Sequence, residues 1–309
     1  MVEVAEKNGP RETSSFFTQE ELAALVKRAV EKTLAAFAAR NLAADQLAVT
    51  LADLGNSEFS LQADYRGDVQ IYPASVIKLF YLAAAHRQME DGQLKDTTEL
   101  RDALRDMIVD SGNEATGYVL DLLTGTTSGP ELPPAELEQW QNKRDSVNHY
   151  FSSLGYTGVN ANKKTWNDKP YGRDRQIIQE SKSERNFLTT NATARLLAEI
   201  ATGKIVSPIR CGQMLELLKR DFSSADNSDT QALEFIGASL PAGAKLWSKA
   251  GYMSKVRHDA AHVELPGGAR FVLIIFTAGH SDEKEIIPFL ARAIVEHYPK
   301  VCHGNRHPA

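Results

Sequence analysis

The stretch Ile71-Tyr72-Pro73-Ala74-Ser75-Val76-Ile77-Lys78-Leu79-Phe80-Tyr81-Leu82 is where the chain changes character. Before it, apolar residues recur at every second position. Leu47, Val49 and Leu51 alternate with small or polar residues, and Phe59, Leu61, Ala63 and Tyr65 do so after Gly55-Asn56, which reads as a β-hairpin. After it, the apolar spacing is helical as far as about Ile205, with helices expected near 75–91, 99–109, 114–123, 145–154, 190–202 and 208–220. Gly92, Gly125, Gly155 and Gly203 stand where helix ends favour a residue with positive φ, and Ser207-Pro208 is an N-cap followed by proline at the first helical position.

Outward from that junction, strands return only near the C-terminus. Trp247–Ala250, Val256–Leu265 and the apolar run Arg270–Thr277 read as strands, with Pro266-Gly267-Gly268 as a turn. A last helix is expected over about 283–298, with Pro288 marking a kink or a late start. At the other end, Thr18 and Glu21 form a capping box for a helix carrying Leu22, Leu25, Val26, Ala29, Val30, Leu34 and Phe37. Strands at both ends and helices between them imply an α+β fold. One antiparallel sheet is built from both termini, covered by the terminal helices, with an all-helical lobe inserted. The expected division is a lead-in at 1–17, a discontinuous sheet lobe at 18–73 and 240–300, a helical lobe at 74–239, and a tail at 301–309. Thr124–Arg144, with Pro130, Pro133 and Pro134, and the polar stretch Asn160–Asn186 read as loops, the second flanking the site. Two sequential domains are the weaker organisation, since a lone two-stranded hairpin is not stable.

Composition narrows the function classes. The 309 residues are 42% hydrophobic with a net charge of −5, which offers no basic footprint for nucleic acid or an anionic membrane. No apolar run of about 18 residues is present to span a bilayer. Cys211 and Cys302 are too few for a disulfide framework or a structural zinc site and read as free thiols. Met1–Ser15 is polar without an apolar signal core, which fits a cytoplasmic chain as given. A monomer acting on a small molecule without metal or organic cofactor is the expectation.

Three short motifs carry the chemistry. Ser75 and Lys78 share a helix face at i and i+3, so the amine can reach the hydroxyl of an acylatable nucleophile near a helix N-terminus. The pattern alone is cheap, because Ser281-Asp282-Glu283-Lys284 also fits it. Ser111-Gly112-Asn113 lies between two helical runs, where Asn113 by itself reads as an N-cap. Lys249-Ala250-Gly251 lies on a strand just before the last two strands.

Taken together and in this order, the three motifs resemble the S-x-x-K, S-D-N and K-T-G set of the serine β-lactamase and penicillin-binding protein superfamily, with the class A-like branch nearest. The helix after Thr189-Thr190 and the stretch Val256-Arg257-His258-Asp259 fit that branch, and the resemblance covers roughly residues 18–300. It implies Ser75 as the acylated nucleophile and Lys78 as its general base or one end of a proton relay. Ser111 would pass the proton to the leaving nitrogen, Asn113 would hold the substrate's side-chain amide, and Lys249 would attract its carboxylate. Backbone N–H groups of Ser75 and Tyr252, beside Gly251, would form the oxyanion hole. Arg257 would add a bidentate carboxylate contact. The resemblance also implies a periplasmic or secreted location, against the cytoplasmic reading of the chain's start.

Several positions depart from the family pattern. Gly112 replaces an aspartate and Ala250 a threonine, which removes a hydroxyl worth about 0.5–1.5 kcal/mol to a bound carboxylate. Aligning the deacylation loop at Trp166 puts Asn167, then Asp168, where the family carries its water-activating glutamate; Glu180 and Glu184 lie farther along. Only 32 residues separate Lys78 from Ser111, which leaves the cleft more open there, and the insertion at 124–144 partly compensates.

Rival readings follow from other residues. His258-Asp259-Ala260-Ala261-His262 has the i, i+4 histidines of a metalloprotease helix, but its flanks read as a strand, where such residues stand about 13 Å apart, too far to share a metal. Asn191-Ala192-Thr193 matches a glycosylation sequon and reads as a helix cap. A D-Ala-D-Ala peptidase, an esterase, or a penicillin-binding module with weak deacylation would use the same five polar side chains.

Overall fold

The computed structural model describes residues 17–55, 61–180, 185–221 and 230–298. Most of the lead-in at 1–17, Asn56 and Phe59 of the hairpin, Glu184, and the tail with Cys302, His303 and His307 lie outside the described residues.

Helix α1 (Gln19–Ala36) starts at the Thr18–Glu21 capping box and leads to β1 (Leu47–Asp53) and β2 (Leu61–Tyr65). A short 3-10 turn, Ala74–Ile77, opens the helical part: α2 (Lys78–Glu90), α3 (Thr98–Ile108), α4 (Asn113–Thr124), α5 (Pro134–Arg144) and α6 (Ser146–Ser153). Next come β3 (Val159–Asn160), α7 (Gly172–Glu180), β4 (Phe187–Leu188), α8 (Thr190–Ala201) and α9 (Pro208–Leu218). The chain closes with β5 (Lys219–Arg220), α10 (Thr230–Leu233), β6 (Lys245–Met253), β7 (Val256–Glu264), β8 (Arg270–Ala278) and α11 (Ile286–Val295).

The sheet runs β2-β1-β8-β7-β6-β5, antiparallel throughout, and draws its strands from both ends of the sequence. β1 shows why. Leu47, Val49 and Leu51 pack with α1 and α11, while Ala48 and Ala52 face the helical core. A strand covered on both faces cannot stand at an edge, so β1 needs β8 as well as β2. On the far face α8 crosses β1, β7 and β8, and α2 runs through the helical core with every residue from Lys78 to His86 buried. A helix apolar on all sides belongs in an interior, and its first residue goes in with it.

Four expectations need correction. Residues 124–144 are not a plain loop: proline at the first helical position suits α5, and Leu137 and Trp140 meet Ile177 of α7 in a small third core. The polar stretch 160–186 likewise contains α7. The segment 74–239 is not purely helical, since β5 joins the main sheet and β3 pairs with β4. Finally, Thr189 caps α8, while Asn191 bonds to Thr50, Gln62 and Asp68 and holds the helix start to the β1–β2 edge. The last helix takes the late-start reading, with Pro288 in its first turn.

An ionic cluster joins α5 to the rest. The Arg144 side chain, 1% exposed, meets Asp121 of α4 at 3.0 Å and Asp174 of α7 at 3.5 Å. Lys164 also reaches Asp121 at 2.6 Å. Removing one partner of a buried pair strands the other charge. Arg144→Met is therefore expected to lower the unfolding free energy by about 3 kcal/mol, measured by urea denaturation.

Candidate active site

The 3-10 turn before α2 leaves Ser75 half-buried, and Lys78 one turn later is completely buried. The Lys78 amine donates to three oxygens: Ser111 O at 2.6 Å, Ser111 Oγ at 3.2 Å and Asn113 Oδ1 at 2.9 Å. Burial pushes its pKa down to about 7. Near neutral pH the amine is then divided between its charged form and a neutral form whose lone pair can take a proton. Asn113 is the first residue of α4, not its cap; its side chain turns into the cleft and its amide donates to Asn167 Oδ1 at 2.7 Å. Lys78, Ser111, Asn113 and Asn167 therefore converge, although they come from two helix starts and a loop, and Ser75 precedes Lys78 by one turn.

The backbone here is strained. Ala74 and Ser111, with φ of +46° and +56°, are non-glycine residues in the left-handed region, and they flank Lys78 on either side. Such conformations cost on the order of 1–3 kcal/mol each and persist only where the surroundings fix them. On the sheet side, a Cβ on Gly251 would come within 2.8 Å of Pro73 O and Ser75 N and within 2.9 Å of Val76 N. Glycine is thus required for β6 to lie against the turn carrying Ser75. His258 of β7 holds that turn from behind: its Nε2–H donates to Tyr72 O at 2.8 Å and its Nδ1 accepts from Thr277 N at 3.2 Å. That pairing fixes the neutral tautomer, and burial lowers the ring's pKa to about 4. His262 instead stacks on Trp247 and bonds to Phe271 O, so the two histidines serve different neighbours along one strand. Among the described residues no group of three His, Cys, Asp or Glu side chains is placed to hold a metal.

The loop carrying Trp166 is clamped at its base. Asn186 Oδ1 accepts from Asn162 N and Lys163 N, its amide donates to Lys163 O, and Tyr81 of α2 donates to the same carbonyl. Trp166 packs edge-on against Tyr171 at 6.1 Å. Beside it opens a cavity of about 730 Å³ lined by Asn113, Tyr118, Trp166, Asn167, Asp168 and Tyr171. Ser128 and Gly129 of the 124–144 insertion also line this cavity. Asp168 faces it without a hydrogen bond to the Lys78 cluster among the described residues.

The chain has a counterpart among known families. A model of the beta-lactamase enzyme family matches residues 28–101 and 95–298. The chain belongs to the beta-lactamase enzyme family. Solved structures share its fold at low identity. A beta-lactamase from Sphaerobacter thermophilus is 19% identical with a TM-score of 0.63, covering 88% of this chain and 96% of its own. A beta-lactamase from Chitinophaga pinensis is 18% identical with a TM-score of 0.64, covering 88% and 98%. PBP-A, a mutant solved as an acyl-enzyme complex with penicillin-G, is 19% identical with a TM-score of 0.61, covering 89% and 96%. No curated protein matches the sequence. No helix of the described residues is long and apolar enough to cross a membrane.

Two residues expected at a substrate carboxylate are engaged within this beta-lactamase-family chain. Lys249, fully buried, donates to Gln231 Oε1 and to Ala250 O, each at 2.8 Å. Arg257 bonds to Glu234 and lies 4.0 Å from the Phe235 ring, beneath the exposed Tyr252. Gln231 also accepts from Ala250 N and donates to Val109 O, joining β6 to the end of α3. Neither Gln231 nor Glu234 stands out in the sequence, because their segment carries no motif. Because Gly251 has no room for a side chain, Gly251→Ala is expected to cost about 1–3 kcal/mol in urea denaturation and to displace the Ser75 turn.

Proposed function

We propose that this chain is a class A-like serine hydrolase that opens a β-lactam or a related amide through an acyl-enzyme on Ser75. The observation that carries the reading is the buried Lys78 amine, held by Ser111 and Asn113 one helical turn from Ser75. In its neutral form Lys78 takes the Ser75 proton as the hydroxyl oxygen attacks the carbonyl carbon. The tetrahedral oxyanion is met by backbone N–H groups of Ser75 and Tyr252. The C–N bond then breaks as the proton passes through Ser111 to the leaving nitrogen, and Asn113 orients the acyl side chain. The close packing of Gly251 on Ser75 N supports this placement, since it brings β6 to the edge of the turn. No metal or organic cofactor enters these steps.

Deacylation needs a base for water. The side chain bonded to Asn113 at the family's glutamate position is the amide of Asn167, which cannot take a proton near neutral pH. This favours a long-lived acyl-enzyme, and with it the second reading, a penicillin-binding module with weak deacylation on the same machinery. Asp168 is the nearest carboxylate in the loop sequence.

Intact-mass measurements with excess benzylpenicillin are expected to show an adduct that forms on the parent, is absent from Ser75→Ala, and outlasts the acylation phase. Since the lysine pKa is depressed to about 7, the base form grows as pH rises. The acylation rate is expected to climb about tenfold per pH unit below that value and level off above it. A rate independent of pH between 5.5 and 8.5 (roughly the span in which such a base titrates) would remove Lys78 from the role. Asn167→Glu is expected to speed adduct decay about a hundredfold, read from the same spectra over time.

A further inference from the structure

The cavity of about 730 Å³ beside Trp166 is walled by three separate segments. Helix α4 contributes Tyr118, the loop contributes Trp166 and Tyr171, and the 124–144 insertion contributes Ser128 and Gly129. One side chain ties all three: the Lys164 amine donates to Asp121 of α4 at 2.6 Å and to Ser128 Oγ at 2.8 Å. The insertion is fixed in turn by α7. Arg173 N donates to Gly129 O at 3.1 Å, and Gln176 exchanges two hydrogen bonds with the Leu132 backbone, each at 2.8 Å. Gly172 allows that approach, since its φ is +49° and a Cβ there would collide with Gly129 O. The volume lies within the range of about 300–1,000 Å³ typical of ligand cavities.

The lining divides by chemistry. Tyr118 and Tyr171 are 44% and 56% exposed, and Trp166 stands edge-on to Tyr171 at 6.1 Å. Large rings left this open on one shared cavity mark a contact surface. Among the exposed lining residues, Glu114, Asp168 and Lys169 make no hydrogen bond or ion pair with any described residue. Two carboxylates and one ammonium supply acceptors and donors together, and a charged ligand of either sign would meet repulsion as well as attraction. A neutral ligand with several hydroxyls suits the whole set, because each hydroxyl both donates and accepts. The C–H bonds on the face of a pyranose ring carry slight positive charge, which packs well on the negative face of an aromatic ring.

We propose that this cavity is a saccharide site. It takes a neutral pyranose against Tyr118, Trp166 and Tyr171, with the sugar hydroxyls bonded to Glu114, Asp168 and Lys169. Asn113 and Asn167 line the same cavity, so the bound sugar lies beside the two amides that join α4 to the loop. Binding is non-covalent and does not depend on the Ser75 acyl-enzyme reading.

Isothermal titration calorimetry of the full chain tests the assignment with three probes. Two are saccharides, maltotriose and the N-acetylglucosamine trimer, and the third is p-cresol, a planar ring without the hydroxyls of a sugar. At least one saccharide is expected to bind with a Kd of about 1 mM. Tyr118→Ala and Tyr171→Ala are each expected to weaken it about tenfold, whereas Tyr118→Phe, which keeps the ring, stays within about twofold of the parent. Both tyrosines are exposed, so these variants keep the fold, which circular dichroism checks. No heat from either saccharide up to about 10 mM overturns the inference. So does p-cresol binding more tightly than both, which would make the cavity an aryl site. Saccharide binding unchanged in both alanine variants overturns it as well, since the sugar would then sit elsewhere. Adduct formation on Ser75 bears only on the hydrolase reading, so the two can fail separately.

Discussion

A single amine, that of Lys78, sits where water does not reach, and the geometry of the site follows from that burial. A charged ammonium is costly to keep out of water unless oxygen atoms surround it. Three oxygens do so here, and all three belong to Ser111 and Asn113, 33 and 35 positions away in sequence. Satisfying the amine therefore fixes how α4 begins, draws Ser111 into the left-handed region, and aims the Asn113 side chain at the loop. The same burial lowers the proton affinity of the amine to a useful value near neutral pH. Stability and chemistry are served by one arrangement because the lysine opens a helix whose first nine residues are all buried.

The rest of the cleft is assembled by ties from distant segments. His258 reaches from β7 to Tyr72, Tyr81 from α2 to Lys163, and Gln231 from α10 to both β6 and α3. Each satisfies a buried backbone or charged group at one end and orders a piece of the site at the other. The wall of the cleft is thus a set of hydrogen bonds between lobes, and the strained turns at Ala74 and Ser111 are held because several elements press on each.

Legibility in the sequence followed the range of the forces involved. The two-residue period of β1, the apolar run of β8 and the capping box of α1 act over a few residues, so the sheet from both ends and most helix limits could be read directly. Ser75, Lys78, Ser111 and Asn113 were readable because their spacing is local within each motif. Helix α5 was hidden by Pro133-Pro134, which break a helix in its interior but suit its start, and by a surface so polar that Leu137 and Trp140 are its only buried apolar side chains. α7 was hidden for the same reason. The pairing of Arg257 with Glu234 had no local signature at all, because it depends on where a four-residue helix lands against β6. His258 and His262 have the spacing of a metal pair on a helix, which the strand reading of their flanks set aside; in the sheet, one bonds to Tyr72 O and the other to Phe271 O.

The pairing of β1 with β8 bears on how the chain is made. Leu51 lies opposite Leu273, roughly 220 residues later, so a strand buried on both faces waits for a partner made long after it. At ordinary translation rates of 5–20 residues per second that wait is about 10–40 s. The helical segments between them rest on nearer contacts and can gather while the ribosome is still at work. The hydrogen-bonding edge of β1 that faces β8 stays unpaired throughout that interval, the state in which a nascent chain is most in need of a chaperone.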